Sequence, residues 1–172
     1  MVCAALAAPP TDAAKAVADT LHKQALEKAR AGDWDGAFPL WDEAQARHQL
    51  WKYPFNQASG YSHNKRWLAA WRACERAWKY GVPHSRKKLM ETTQQKAHDA
   101  LLKTHALVEI TVFPASARVI VGEDQVSTPW RGWLRGAKSA VEVSAPGHIS
   151  QRVTIDHPIG KRTVREVRLQ AL

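Results

Sequence analysis

Two different periods of apolar residues divide the chain. Over residues 13–105 apolar positions recur at the three-to-four spacing of amphipathic helices, with Pro39, Pro54 and Pro83 as the only prolines. Over residues 107–172 the pattern changes to valine- and isoleucine-rich alternation broken by Gly and Pro, the signature of short strands. The change falls near His105, with no Gly/Ser linker, so the last helix is expected to run almost directly into the first strand. The expected organisation is α+β in two domains: all-α helical hairpins over 13–105 and a small all-β sandwich over 106–172. Residues 1–12 are set apart as a signal-peptide remnant or disordered tail.

Within the first domain, a helix is expected from Asp12 to Ala31, with Val17, Leu21, Ala25 and Lys28/Ala29 on its inner face. Gly32-Asp33 ends it, and Asp33 can cap the next helix by accepting backbone N–H groups. In that helix Ala37, Trp41 and Ala44 face the first, and Pro39 predicts a late start or a bend. Residues 49–61 read as aromatic and irregular, with one short helix after Pro54. Residues 65–80 form the clearest helix, because Trp67, Trp71, Cys74 and Trp78 fall on one stripe. Gly81-Val82-Pro83 stops it, and Ser85 opens a last helix to Thr104 with Leu89, Thr93, Ala97 and Leu101 on one face. Helices 65–80 and 85–104 then form a second hairpin that echoes 13–31 with 34–48.

In the second domain, Val108, Ile110 and Val112 alternate with Glu109, Thr111 and Phe113 up to Pro114. Val119 and Val121 lead to a turn at Gly122-Glu123-Asp124, and Val141 and Val143 to another at Pro146-Gly147. The segments 149–155 and 163–169 are expected to pair, joined around Pro158-Ile159-Gly160. About five to seven strands in so short a span predict a compact sandwich or barrel. Trp133 is expected to plug it, with Trp130 more exposed.

The stretch Gly32-Asp33-Trp34-Asp35-Gly36-Ala37 resembles the Gly-x-Tyr-x-x-Ala turn of tetratricopeptide repeats, with Trp41 and Ala44 at the later aromatic and alanine positions. Lys65-Arg66-Trp67-Leu68-Ala69-Ala70-Trp71 resembles the same turn one repeat on, with Lys65 in place of glycine. The second domain is similar to the PEGA domain. Pro114-Ala115-Ser116-Ala117 stands at the naming motif, followed by Val119-x-Val121-Gly122, Thr128-Pro129, Gly136 and Pro146-Gly147. The two resemblances imply helix pairs that bind protein and a β-module attached to bacterial cell-envelope proteins. They carry no catalytic residues.

Formal net charge is +9, with 16 Lys+Arg against 10 Asp+Glu in residues 1–105 and 9 against 6 in residues 106–172. A basic balance favours anionic partners. Two cysteines make no disulfide framework, and Cys74 reads as a small buried hydrophobe. Residues 1–10, Met-Val-Cys-Ala-Ala-Leu-Ala-Ala-Pro-Pro, resemble the end of a secretory signal without its basic start. No apolar run of about 18 residues predicts a transmembrane segment.

Dinucleotide, Walker, zincin, Cys-x-x-Cys and Gly-x-Ser-x-Gly motifs do not occur. His98 and His105 could share a helix face, but no third ligand converges, so neither metal nor cofactor is expected. The reading is a non-enzymatic protein-interaction or scaffold protein of the bacterial envelope, periplasmic if the true start lies upstream and otherwise cytoplasmic. The alternative is binding of an anionic polymer through the basic helical half, with an envelope glycan favoured over nucleic acid. The expected partner contacts are Trp51, Tyr53 and Phe55 in the aromatic segment, Arg86, Lys87 and Lys88 opening the last helix, and Trp130.

Overall fold

The structure, a computed structural model, describes residues 10–172. The signal-like stretch lies, over residues 1–9, outside the described residues; Thr11 already belongs to the fold, its hydroxyl capping Ala14 N–H. Among the described residues, five helices are followed by seven strands in two sheets. The chain divides into two compact units, one through Ala97 and one from His98.

The first unit holds α1 (Asp12–Arg30), α2 (Trp34–Arg47), α3 (Lys52–His63), α4 (Trp67–Lys79) and most of α5 (His84–Leu101). The closest pairings are α1 with α2 and α3 with α4. The expected second hairpin of 65–80 with 85–104 is therefore replaced by one made from α3 and α4. Residues 52–63, read as largely irregular, are fully helical. Pro54 does not prevent this, because it sits in the first turn, where its missing N–H has no partner to lose. Pro39 does not delay α2 either, which begins at Trp34 directly after its Asp33 cap.

The two helix pairs correspond position by position at an offset of 33 residues. Gly32 and Lys65 both take positive φ in the turn, at 83° and 56°. Ala37 and Ala70, Ala44 and Ala77, and Ala25 and Ala58 are all fully buried. Phe38 and Trp71 are buried, as are Trp41 and Cys74. Buried alanines let paired helices approach closely, and the large side chains fill the space beside them. On α1 the inner face is Ala18, Leu21, Ala25 and Ala29, while Val17 and Lys28 are exposed. On α5 it is Met90, Thr93 and Ala97, while Leu89, expected inside, is 49% exposed.

The second unit holds β1 (His105–Phe113), β2 (Arg118–Val121), β3 (Asp124–Val126), β4 (Trp130–Arg135), β5 (Lys138–Ser144), β6 (Gln151–Asp156) and β7 (Arg162–Arg168). One sheet has the order β4-β1-β7 and the other β3-β2-β5-β6. The inner faces pack Val108, Ile110 and Val112 of β1 against Val119, Val121, Val141, Val143, Ile155 and Val167. Segments 149–155 and 163–169 do not pair as expected. β6 joins β5 antiparallel, whereas β7 crosses to the other sheet and runs parallel to β1. The last helix ends at Leu101, not Thr104, so His105 is a strand residue and shares no helix face with His98.

Two substitutions test the helical packing. Lys65 holds a left-handed conformation that costs a non-glycine residue roughly 1 kcal/mol, so Lys65→Gly should raise Tm by a few degrees. Gly60 lies under Trp34 and Phe38, and a Cβ there would meet their rings at 2.6 and 2.9 Å. Gly60→Ala should therefore destabilise by about 1–3 kcal/mol, although the same change at an open helix site stabilises. Thermal unfolding followed by circular dichroism reads both.

Candidate binding surfaces

Helix formation decides the fate of the aromatic segment. Two residues apart on a helix are about 200° apart, so Tyr53 and Phe55 point to opposite sides of α3. Tyr53 enters the core shared with α1 and α2, and Phe55 the core shared with α4 and Met90 of α5. Both are buried, which removes them as surface contacts. Trp51 is half-buried, its ring edge-on to Phe55 at 5.4 Å. Three aromatics in five residues were hard to bury together as a loop, but a helix between two cores does so.

Polar side chains tie the same helices together. Gln57, almost fully buried, donates from Nε2 to Phe38 O (3.2 Å) and Asp42 Oδ1 (2.8 Å), and accepts from Arg76 Nη2 (3.1 Å). It thus bridges α2, α3 and α4. His22 accepts at Nδ1 from the indole N–H of Trp41 at 3.0 Å. Beside it Lys52 pairs with Asp19 at 2.8 Å. Burial, with Lys52 adding to it, pushes the His22 pKa below its ordinary value. Burial likewise pushes the Cys74 thiol up to about 12, which keeps it protonated and unreactive as a nucleophile at neutral pH.

Arg86, Lys87 and Lys88 are all exposed in the first two turns of α5, and none of them makes an ion pair among the described residues. Consecutive helical residues fan out by about 100°, so the three cations present a basic collar, not a flat patch. Exposed Leu89 lies three residues from Arg86 and shares its face. Aliphatic surface beside unpaired cations suits an acidic, partly apolar partner segment.

In the second unit the two tryptophans of β4 take the opposite faces from those expected, although Trp130 is, as expected, the more exposed of the two. Trp130 pairs with Ile110 on the inner face and packs against the core, its ring lying over Gly132. Trp133 pairs with Leu107 on the outer face, buried beneath the His98 ring at 5.4 Å. Trp130 is therefore half-buried core margin, with one face of its ring occupied by Gly132. Next to Trp133, Glu109 lies between Arg162 (2.7 Å) and Arg131 (3.3 Å), one from each neighbouring strand. The Arg162 hydrogen bond holds the Glu109 carboxyl below the usual carboxylate range. These residues and His98, Leu102 and Gly160 line an open cleft of about 400 Å³.

A serine–histidine pair lies in the β unit. Ser139 Oγ lies 2.8 Å from Nε2 of fully buried His157. Nothing hydrogen-bonds His157 Nδ1 among the described residues, so no carboxylate orients the imidazole as a serine triad requires. The pair pins the 157–161 loop to β5. Among the described residues no three His, Cys, Asp or Glu side chains gather as a metal site. Nor, among them, is any helix long and apolar enough to cross a membrane.

His22 makes the helical unit acid-sensitive. Its folded pKa is lowered, so the unfolded chain binds the proton more readily; stability is full above pH about 6.5 and falls as pH drops below it. His105, lowered by burial and Arg135, acts in the same sense. His22→Gln keeps an acceptor for Trp41 but does not titrate. Its Tm should fall less than that of the unmodified chain between pH 7 and 5, on the same scans.

Comparison with known proteins adds no relative: no protein-family model and no curated protein sequence matches this chain.

Proposed function

We propose that the chain is a non-enzymatic protein-interaction or scaffold protein of the bacterial cell envelope. The helical unit is read as tetratricopeptide-like and the β unit as PEGA-like. The observation that carries the reading is the 33-residue correspondence between the two helix pairs. Turn conformation, buried alanines and buried large residues all recur at equivalent positions. Stacked helix pairs of near-identical build expose long helix faces, and such faces bind proteins. The envelope location, periplasmic by this reading, rests on the PEGA-like strand pattern and the signal-like first residues.

On the helical unit the partner surface is the α5 collar of Arg86, Lys87, Lys88 and Leu89. Of the three aromatics Trp51 is the one left half-buried, a separate partial contact. Chemical crosslinking of the tagged chain in envelope fractions should yield a discrete protein adduct. The adduct should be lost when Arg86, Lys87 and Lys88 are all changed to Glu and retained when exposed Lys23 and Lys96 are. An adduct pattern indifferent to the triple change would remove the collar from the reading, and no adduct above background would remove the reading itself.

The unpaired collar also favours a second reading, capture of an anionic polymer such as an envelope glycan. Three cations engaged on a polyanion should give a log–log salt slope of roughly −2 to −3. Heparin serves as the probe, and a slope near zero would dismiss this alternative.

A further inference from the structure

We infer that the free edge of β7 is a docking site for an acidic, extended peptide segment of a partner protein, which would add a strand to the β4-β1-β7 sheet. The argument begins with the ladder. Leu107 N–H donates to Lys161 O, and Leu169 N–H donates to Phe113 O. In a parallel pair the bonded residues alternate. Residues 161, 163, 165, 167 and 169 therefore turn their backbone groups toward β1, while Arg162, Val164, Glu166 and Arg168 turn theirs outward. All four outward residues are exposed, and Val164 is 64% exposed. No backbone hydrogen bond reaches their outward groups among the described residues. Such a row of unused donors and acceptors is a template for strand addition.

The other edges are poorer templates. β3 has three residues, β4 carries Gly132, and β6 has one cation and one anion, Arg152 and Asp156. β7 has seven residues without Gly or Pro, and across 161–168 it sets Lys161, Arg162, Arg165 and Arg168 against Glu166. Among the described residues Arg165 and Lys161 make no ion pair. A second copy of the chain is the wrong occupant. Antiparallel self-pairing about the strand centre would oppose Arg165 to Arg165 and Arg162 to Arg168, and like charges directly opposite are destabilising. An acidic strand meets the same cations favourably. On the outer face it would also find Val164 and Phe113, the latter 40% exposed with the Arg168 guanidinium 4.8 Å from its ring centroid. The occupant is thus a strand alternating carboxylates with apolar side chains.

This site is separate from the α5 collar, and its test leaves the collar intact. The probe is a fluorescein-labelled ten-residue peptide alternating glutamate and valine, read by anisotropy on the full chain. Two controls are a lysine–valine counterpart and an N-methylated glutamate–valine peptide that keeps its charge but cannot complete a ladder. The acidic peptide should bind, and both controls should bind at least roughly tenfold more weakly. On binding, amide exchange at Val164 and Glu166 should slow. Val164→Pro removes an outward N–H without touching the bonds to β1 and should abolish binding; Arg165→Glu should weaken it roughly tenfold. Equal binding by the N-methylated peptide would show simple charge attraction and overturn the site. So would unchanged exchange at Val164 and Glu166 with peptide bound, a measurement on the unmodified chain that decides the matter even if Val164→Pro fails to fold.

Discussion

The helical unit depends on the close approach of α1 to α2 and of α3 to α4 along seams of fully buried alanine. Ala18, Ala25, Ala37 and Ala44 form one seam, and Ala58, Ala70, Ala73 and Ala77 the other. A methyl group at these points holds two backbones near the short end of the helix–helix range. Phe38, Trp41 and Trp71 then lie beside the seams, each burial contributing roughly 1.5–3 kcal/mol. Because the seams recur at the same offset as the turn residues Gly32 and Lys65, a single turn geometry serves both pairs. Gln57 is the polar complement of this arrangement. It is the buried side chain that hydrogen-bonds across three helices, and leaving any of its groups unmatched would cost about 1–3 kcal/mol.

The β unit is built on a different constraint. β1 is the central strand of its sheet, and each of its faces has a different task. Its even-numbered residues, Ala106 to Val112, close the valine core. Its odd-numbered residues carry Leu107 under the tryptophan-lined outer surface and Glu109 between two arginines. Since β4 and β7 flank β1 and each carries an arginine on the outer face near Glu109, one carboxylate takes a cation from each side. The same placement leaves β7 as an edge, and its arginines both discourage self-association and select for acid. Surface charge, diffuse in the sequence, is thereby given two distinct addresses: the α5 collar and the β7 edge.

Much of this architecture is legible in the order of residues, and the misreadings are specific. Helical period, the Asp33 cap and the Trp71–Cys74 stripe identify helices without reference to anything distant. Alternation of Val108, Ile110 and Val112 identifies the inner face of β1. The aromatic segment 49–61 misled because Tyr53 and Phe55, read as one cluster, serve two cores on opposite sides of one helix. Trp130 and Trp133 misled because strand parity depends on register, and that register comes from pairing with Ile110 and Leu107, distant in the chain.

Local chemistry by itself determined the periods, the caps and turns, the burial of Cys74 and the two-part division into helices and strands. These follow from backbone preference and from the spacing of apolar side chains, both of which act over a few residues. Tertiary structure alone decided which helix joins which, that β6 and β7 belong to different sheets, which tryptophan faces the core, and which strand edge stays open. Those choices are made by shape and hydrogen-bond complementarity between segments far apart in the chain, and no local period encodes the identity of a distant partner.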